Sequence, residues 1–237
     1  MTVYVYAITD AGHPLRLDDL VGVGDPPSTL RTVAGGGLAA VVSDAPEGLR
    51  PKRRDLAAHQ GVQERLMSDG AVLPLQFGLT AEDDDAVVRV LEEQAPAYRR
   101  RLEALEGAAE YHLKSAWDED ALLREILRES PQARSLNEEI RGGNPDPQLP
   151  MALGESIAQE VQARQEALAA RVVERLRAHA REERSSAPTG EDFLNVSFLV
   201  DSGEREQFVT ELRQLADELG QDVELRLRGP LPAYSFV

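Results

Sequence analysis

The stretch Thr2 to Ile8, TVYVYAI, constrains the fold more than any other in the chain. Val3, Val5 and Ala7 alternate with Tyr4, Tyr6 and Ile8, and both sets are apolar. A half-solvated strand alternates apolar with polar, so this pattern predicts a strand buried on both faces. Leu30–Val33 and Leu38–Ser43 are two short strand patterns around Gly35-Gly36-Gly37, the signal of a hairpin.

Asp55 to Asp69 reads as a helix with Leu56, Val62, Leu66 and Met67 on its apolar stripe and Gly70 as its stop. Ala71 to Phe77, AVLPLQF, reads as a strand, and Pro74 within it calls for a sheet edge or a bulge. Thr80 with Asp83 three residues on approximates a capping box. The helix that follows runs to about Leu105, with a break expected near Pro96.

Beyond Gly107 a second set of elements begins. Tyr111–Ala116 alternates as a strand and Asp118–Glu129 reads as a helix. GGNPDPQLP, 142–150, is loop by composition. Ala152–Glu183 reads as one long helix whose Ile157, Val161, Leu168, Val172 and Leu176 suit a helix hairpin or a short coiled coil. Phe193–Val200 is a strand and Glu204–Leu219 an amphipathic helix, and Asp222–Arg228 alternates as a final strand. This order predicts an α+β protein of two domains. Residues 1–106 form a small sheet-and-helix layer, sheet on one side and helices on the other. Residues 107–237 form a domain close to the ferredoxin-like order, with one strand missing or irregular.

Composition narrows the function. With 237 residues there is length for two such domains, and with 5% aromatics the cores must be aliphatic. Lys and Arg number 26 against 42 Asp and Glu, a net charge of −16 that repels nucleic acid and anionic membrane surfaces. There is no cysteine, so disulfides and thiol chemistry are excluded. The start MTVYVYAITD lacks a basic, apolar leader pattern, and no window approaches the ~20 apolar residues of a membrane span. A cytoplasmic protein is expected.

Chemistry-bearing motifs are scarce. His13, His59, His112 and His179 fall in no zinc-binding spacing. His59, followed by Gln60, is the one worth locating, with a hydrogen-bonding role expected. Asp83-Asp84-Asp85 lacks the alternation of a calcium loop and instead suits a first helical turn. The glycine triplet is not followed by a Lys-Ser/Thr helix start, and no nucleophile elbow or dinucleotide fingerprint occurs. The residues therefore predict a non-enzyme with no cofactor and no metal.

The end of the sequence, GPLPAYSFV, is unusually apolar. Such a segment is either docked into the fold or offered to a partner. We expect docking, with Pro230 and Pro232 stiffening it and Tyr234 and Phe236 packing back.

Seven stretches in order resemble one family over essentially the full length. They are LAAVVS (38–43), His59-Gln60 with Val62 and Glu64, VLPLQFG (72–78), LEGAAEYHLKSAWDE (105–119), LGESIAQEVQARQ (153–165), FLNVSFLVD (193–201) and GPLPAYSFV. That ordered set resembles the gas vesicle protein F/L family, GvpF and GvpL. The chain departs from the family pattern at Gln76, commonly Arg, and at Leu231-Pro232-Ala233, commonly Trp-Pro-Pro.

The resemblance implies two α+β domains, the second a modified ferredoxin-like fold. It also implies an accessory or minor structural protein of gas vesicles, supporting their nucleation or assembly in the cytoplasm. The expected partners are the small hydrophobic major shell protein, of GvpA type, and other accessory vesicle proteins. Candidate partner-binding or domain-junction residues are Leu73, Pro74, Leu75 and Phe77 of the proline-bearing strand, His59 and Gln60, and Tyr234 and Phe236. The alternative is a regulatory small-molecule-binding module, by analogy with other ferredoxin-like domains.

Overall fold

A computed structural model describes all 237 residues, and in it β1 (Val3–Asp10) is buried from Val3 to Thr9. The doubly apolar pattern is met by cover on both faces. Tyr4 and Tyr6 pack with Val23, Val62 and Leu66, while Val5 and Ile8 face Val87 and Leu91 across a shared cavity. The first layer is thus a sheet between helices rather than a sheet with helices on one side. The physical reason is β1 itself, which has no polar face to leave in water.

β1 pairs antiparallel with β3 (Leu38–Asp44), and β3 with β2 (Arg31–Gly35). Gly36 and Gly37 close the β2–β3 hairpin at φ +60° and +74°. That is the two-residue turn that needs two positive φ values, which glycine adopts without strain. On the other side of β1 lie two very short strands, β4 (Leu73–Pro74) and β5 (Thr80–Ala81). Proline therefore sits at the sheet edge, where no second neighbour needs its missing N–H.

Between these short strands the chain loops out but stays tied to β1. Leu75 N–H donates to Tyr6 O at 3.1 Å, and Val5 N–H donates to Leu79 O at 3.0 Å.

α1 (Arg53–Asp69) buries Asp55, His59, Val62, Gln63 and Leu66. Its inner face is more polar than the predicted stripe, and Leu56 is exposed instead. α2 (Asp84–Leu105) is capped by Asp83, whose side chain accepts from Ala86 N–H at 2.8 Å. Thr80, expected as the cap, belongs to β5. Pro96 lies within α2 and does not end it.

The remaining elements are β6 (Ala108–Trp117), α3 (Glu119–Glu129), α4 (Pro131–Arg141), α5 (Leu149–Arg177), β7 (Glu182–Ser185), β8 (Asp192–Asp201), α6 (Arg205–Leu219) and β9 (Val223–Leu231). Their sheet has the order β7-β8-β6-β9. With the helices this is the βαββαβ arrangement of a ferredoxin-like fold, modified by three helices in its first crossover.

α5 stops at Arg177, short of the expected Glu183, and the missing strand is β7. Its sequence EERS has no apolar side chain to betray it. Its backbone pairs with β8 at the sheet edge while its side chains meet solvent. α4 was also not anticipated, although Ser130 caps it and Pro131 opens it. Leu122, Ile126 and Ala133 of α3 and α4 pack with Leu153, Ile157 and Val161 of α5, which is the predicted helix-hairpin face. The sheet's own core centres on Phe208, whose ring lies 5.3 Å from Phe198 and 5.4 Å from Tyr111. No helix is long and apolar enough to cross a membrane.

The chain separates into two compact units, Met1–Glu110 with Gly229–Val237, and Tyr111–Arg228. Division falls after Glu110 rather than after Glu106. Residues 229–237, expected with the second domain, group with the first. Their partners explain it: Ala233 and Phe236 are buried, and Ser235 is hydrogen-bonded to Glu110.

Candidate partner-binding site

The first unit is organised around a buried polar knot. Strand geometry puts Tyr4 and Tyr6 on one face of β1, and helical spacing puts His59 and Gln63 on one face of α1. The Tyr4 and Tyr6 rings lie 4.7 Å apart, and His59 lies 5.7 Å from each. His59 Nε2 is 3.0 Å from Leu75 O and 2.8 Å from Gln63 Nε2. His59 Nδ1 is hydrogen-bonded to the Tyr4 hydroxyl at 2.8 Å. Tyr4 Oη in turn accepts from Gly78 N–H at 3.2 Å. Gln63 Nε2 donates to Tyr6 O at 2.8 Å and to Leu75 O at 2.9 Å.

Burial sets the protonation of this knot. It lowers the His59 pKa, so the imidazole is neutral at physiological pH. It also raises the pKa of Tyr4 and Tyr6, and pushes that of Tyr234 up to about 12. The Tyr234 hydroxyl is 3.4 Å from His59 Nε2, and Phe77 stands edge-on to both His59 and Tyr4.

Three of the residues singled out from sequence, Leu75, Phe77 and Tyr234, therefore meet around a fourth, His59. Leu73 and Pro74 are buried against β1, opposite Ile8 and Ala7. Gln60 points to solvent and bonds Glu64 at 2.6 Å. Phe236 is buried. Tyr4, Tyr6 and Gln63 were not anticipated as polar partners. The only signal for them was their place on elements predicted to be buried.

The knot holds one wall of a groove. Leu75 and Gly78 are the residues it grips, and Leu75 and Leu79 line an apolar groove of 490 Å³ between α2 and the sheet edge. Val5 and Ile8 form its floor and Val87 and Val90 its far wall. Leu79 and Val90 are each 47% exposed, which is high for large aliphatic side chains facing one cavity.

A second cavity, of 580 Å³, is lined by Asp10, His13, Asp69, Arg99, Glu103 and Glu106 among others. His13 there is committed at both nitrogens, bonding Leu66 O at 3.0 Å and accepting from Leu15 N–H at 3.2 Å. No group of three or more His, Asp or Glu side chains is placed to hold a metal ion.

Fold and groove together define an α+β protein of two antiparallel sheets with an apolar cleft beside one sheet edge. The chain belongs to the gas vesicle synthesis protein GvpL/GvpF family, whose model matches residues 2–237. It is 43% identical over 240 residues to gas vesicle protein F of Streptomyces sp. (strain CB03234), covering 100% of each chain. It is 31% identical over 263 residues to gas vesicle protein L of the same strain, covering 98% of this chain and 91% of that one. The crystal structure of GvpF from Anabaena sp. PCC7120 matches with a TM-score of 0.87 at 22% identity, over 99% of this chain and 97% of that one. GvpF from Microcystis aeruginosa matches with a TM-score of 0.78 at 23% identity, over 99% and 98%. These two likenesses show the fold.

Proposed function

We propose that this chain is a gas vesicle accessory or minor structural protein that binds the small hydrophobic shell protein, of GvpA type, and supports vesicle nucleation or assembly in the cytoplasm. The role is one of binding, not catalysis. The observation that carries this reading is the apolar groove, with Leu79 and Val90 half exposed at its mouth. A shell protein with a water-repelling face exposes apolar strand and helix surface before it assembles, and such surface aggregates. A groove of this kind covers part of that surface. The net charge of −16 meanwhile keeps copies of the helper apart.

The test is binding of purified shell protein by the full chain and by two variants, Val90→Glu and Leu79→Glu. Both positions face solvent already, so both variants fold. Each puts a charge at the groove mouth and is expected to weaken binding about tenfold or more, as loss of a central anchor does. Wild-type affinity in both variants refutes the groove as the docking site. No binding by the wild-type chain refutes the shell protein as its partner.

A further inference from the structure

We infer that the second unit carries an anion site for a phosphate group on the open face of its sheet. Alternation along β6 buries Tyr111, Leu113 and Ser115 and leaves His112 and Lys114 on the opposite face. β8 and β9 flank β6, so Asp192, Arg226 and Arg228 come to the same place from both neighbours. These five side chains line a cavity of 170 Å³.

Asp192 is the built part of the site. Its side chain is only 7% exposed, and it pairs with Lys114 at 3.3 Å and with Arg226. Lys114 Nζ also donates to Thr189 Oγ1 at 2.8 Å. The His112 ring is held by Asn195 Oδ1, 2.6 Å from Nε2. Glu224 reaches Arg226 at 3.5 Å but does not line the cavity. Arg228 has no carboxylate partner. Three cations against one carboxylate leave the cavity lining at 3 − 1 = +2, within a chain of net charge −16.

Like charges on adjacent strands destabilise a sheet unless something offsets them. Asp192 is shared by Lys114 and Arg226, and Glu224 reaches Arg226 from outside the cavity, so Arg228 is the cation left without a carboxylate. A phosphate group carries about −1.5 to −2 near neutral pH and supplies the negative charge that Arg228 lacks, and guanidinium forks suit its oxygens. The cavity has room for the phosphate group itself, so the rest of any larger ligand would lie outside.

The test is isothermal titration of the full chain with inorganic phosphate at constant ionic strength, beside the Arg228→Gln variant. Arg228 is exposed and makes no ion pair, so this variant keeps the fold. One site per chain is expected, weakened about tenfold or more by Arg228→Gln through loss of a charge-assisted contact. Equal binding by both proteins, or no binding by the wild type, overturns the inference. A peptide bearing phosphoserine, compared with its unphosphorylated form, separates the sources. Binding tighter than inorganic phosphate assigns the site to a phosphorylated protein segment, and binding no tighter assigns it to the free ion.

Discussion

Glu110 accepts both polar groups of Ser235, the amide N–H at 2.8 Å and the hydroxyl at 2.7 Å, across 125 positions of sequence. The carboxylate is buried, so these are charge-assisted bonds in a low dielectric. They tie residues 229–237 to the first unit. Glu110→Ala should cost about 1–3 kcal/mol and lower Tm by several degrees. Removing residues 234–237 should do the same. Because both changes break one interaction, combining them should cost less than their sum. Thermal unfolding of the three variants checks this, and full additivity would show that the segment is held by other means.

Two glycines should respond to alanine with opposite signs. A Cβ on Gly22 would lie 2.6 Å from Tyr6 Oη and 2.8 Å from Ser28 O. Tyr6 Oη is already fixed by Ser43 at 2.9 Å and Val23 N–H at 2.8 Å, so neither neighbour yields freely. Gly22→Ala should destabilise by about 1–3 kcal/mol. Gly61, inside α1, has nothing within 4 Å of a Cβ, and Gly61→Ala should stabilise by about 0.5–1 kcal/mol. Denaturant midpoints compare the two directly.

Acid should loosen the first unit through His59. Burial pulls its pKa below the ordinary 6.5, so just below that pH the unfolded chain takes up a proton that the folded chain refuses. Stability is therefore complete above this value and falls as pH drops through it. Tm should decline between about pH 6.5 and 5, and His59→Gln should flatten that decline. A wild-type Tm constant across the window would count against it.

The start of α2 offers a test of capping. Asp83 accepts from Ala86 N–H, whereas Thr80 sits in β5. Asp83→Ala should cost about 1 kcal/mol, and Thr80→Ala should lie within about 0.5 kcal/mol of the wild type. Urea unfolding of both variants decides between the two residues.

Short-range chemistry was legible in the amino-acid order. Apolar residues on both sides of TVYVYAI required cover on both faces, and three consecutive glycines specified a hairpin. Proline in AVLPLQF excluded a central strand. Each of these follows from the backbone and side chains of a few neighbouring residues. The ordered set of seven stretches identified the family for the same reason, since each is a local pattern. The groove was legible only in part. AVLPLQF pointed to an edge, but nothing local placed Leu79 opposite Val90.

Long-range pairing decided the rest. EERS became a strand because β8 lay beside it, not because of its own side chains. His59 and Gln63 turned inward because Leu75 O and Tyr6 O, from distant positions, needed donors there. GPLPAYSFV docked on the first unit because Glu110 and a buried site for Phe236 awaited it. A buried polar group must find its partner wherever the fold supplies one, and no local pattern records where that is. Sequence by itself thus determined the strands and turns that carry a local apolar or glycine pattern, while the three-dimensional packing determined that EERS pairs as a strand, which polar groups meet and which apolar surface remains open.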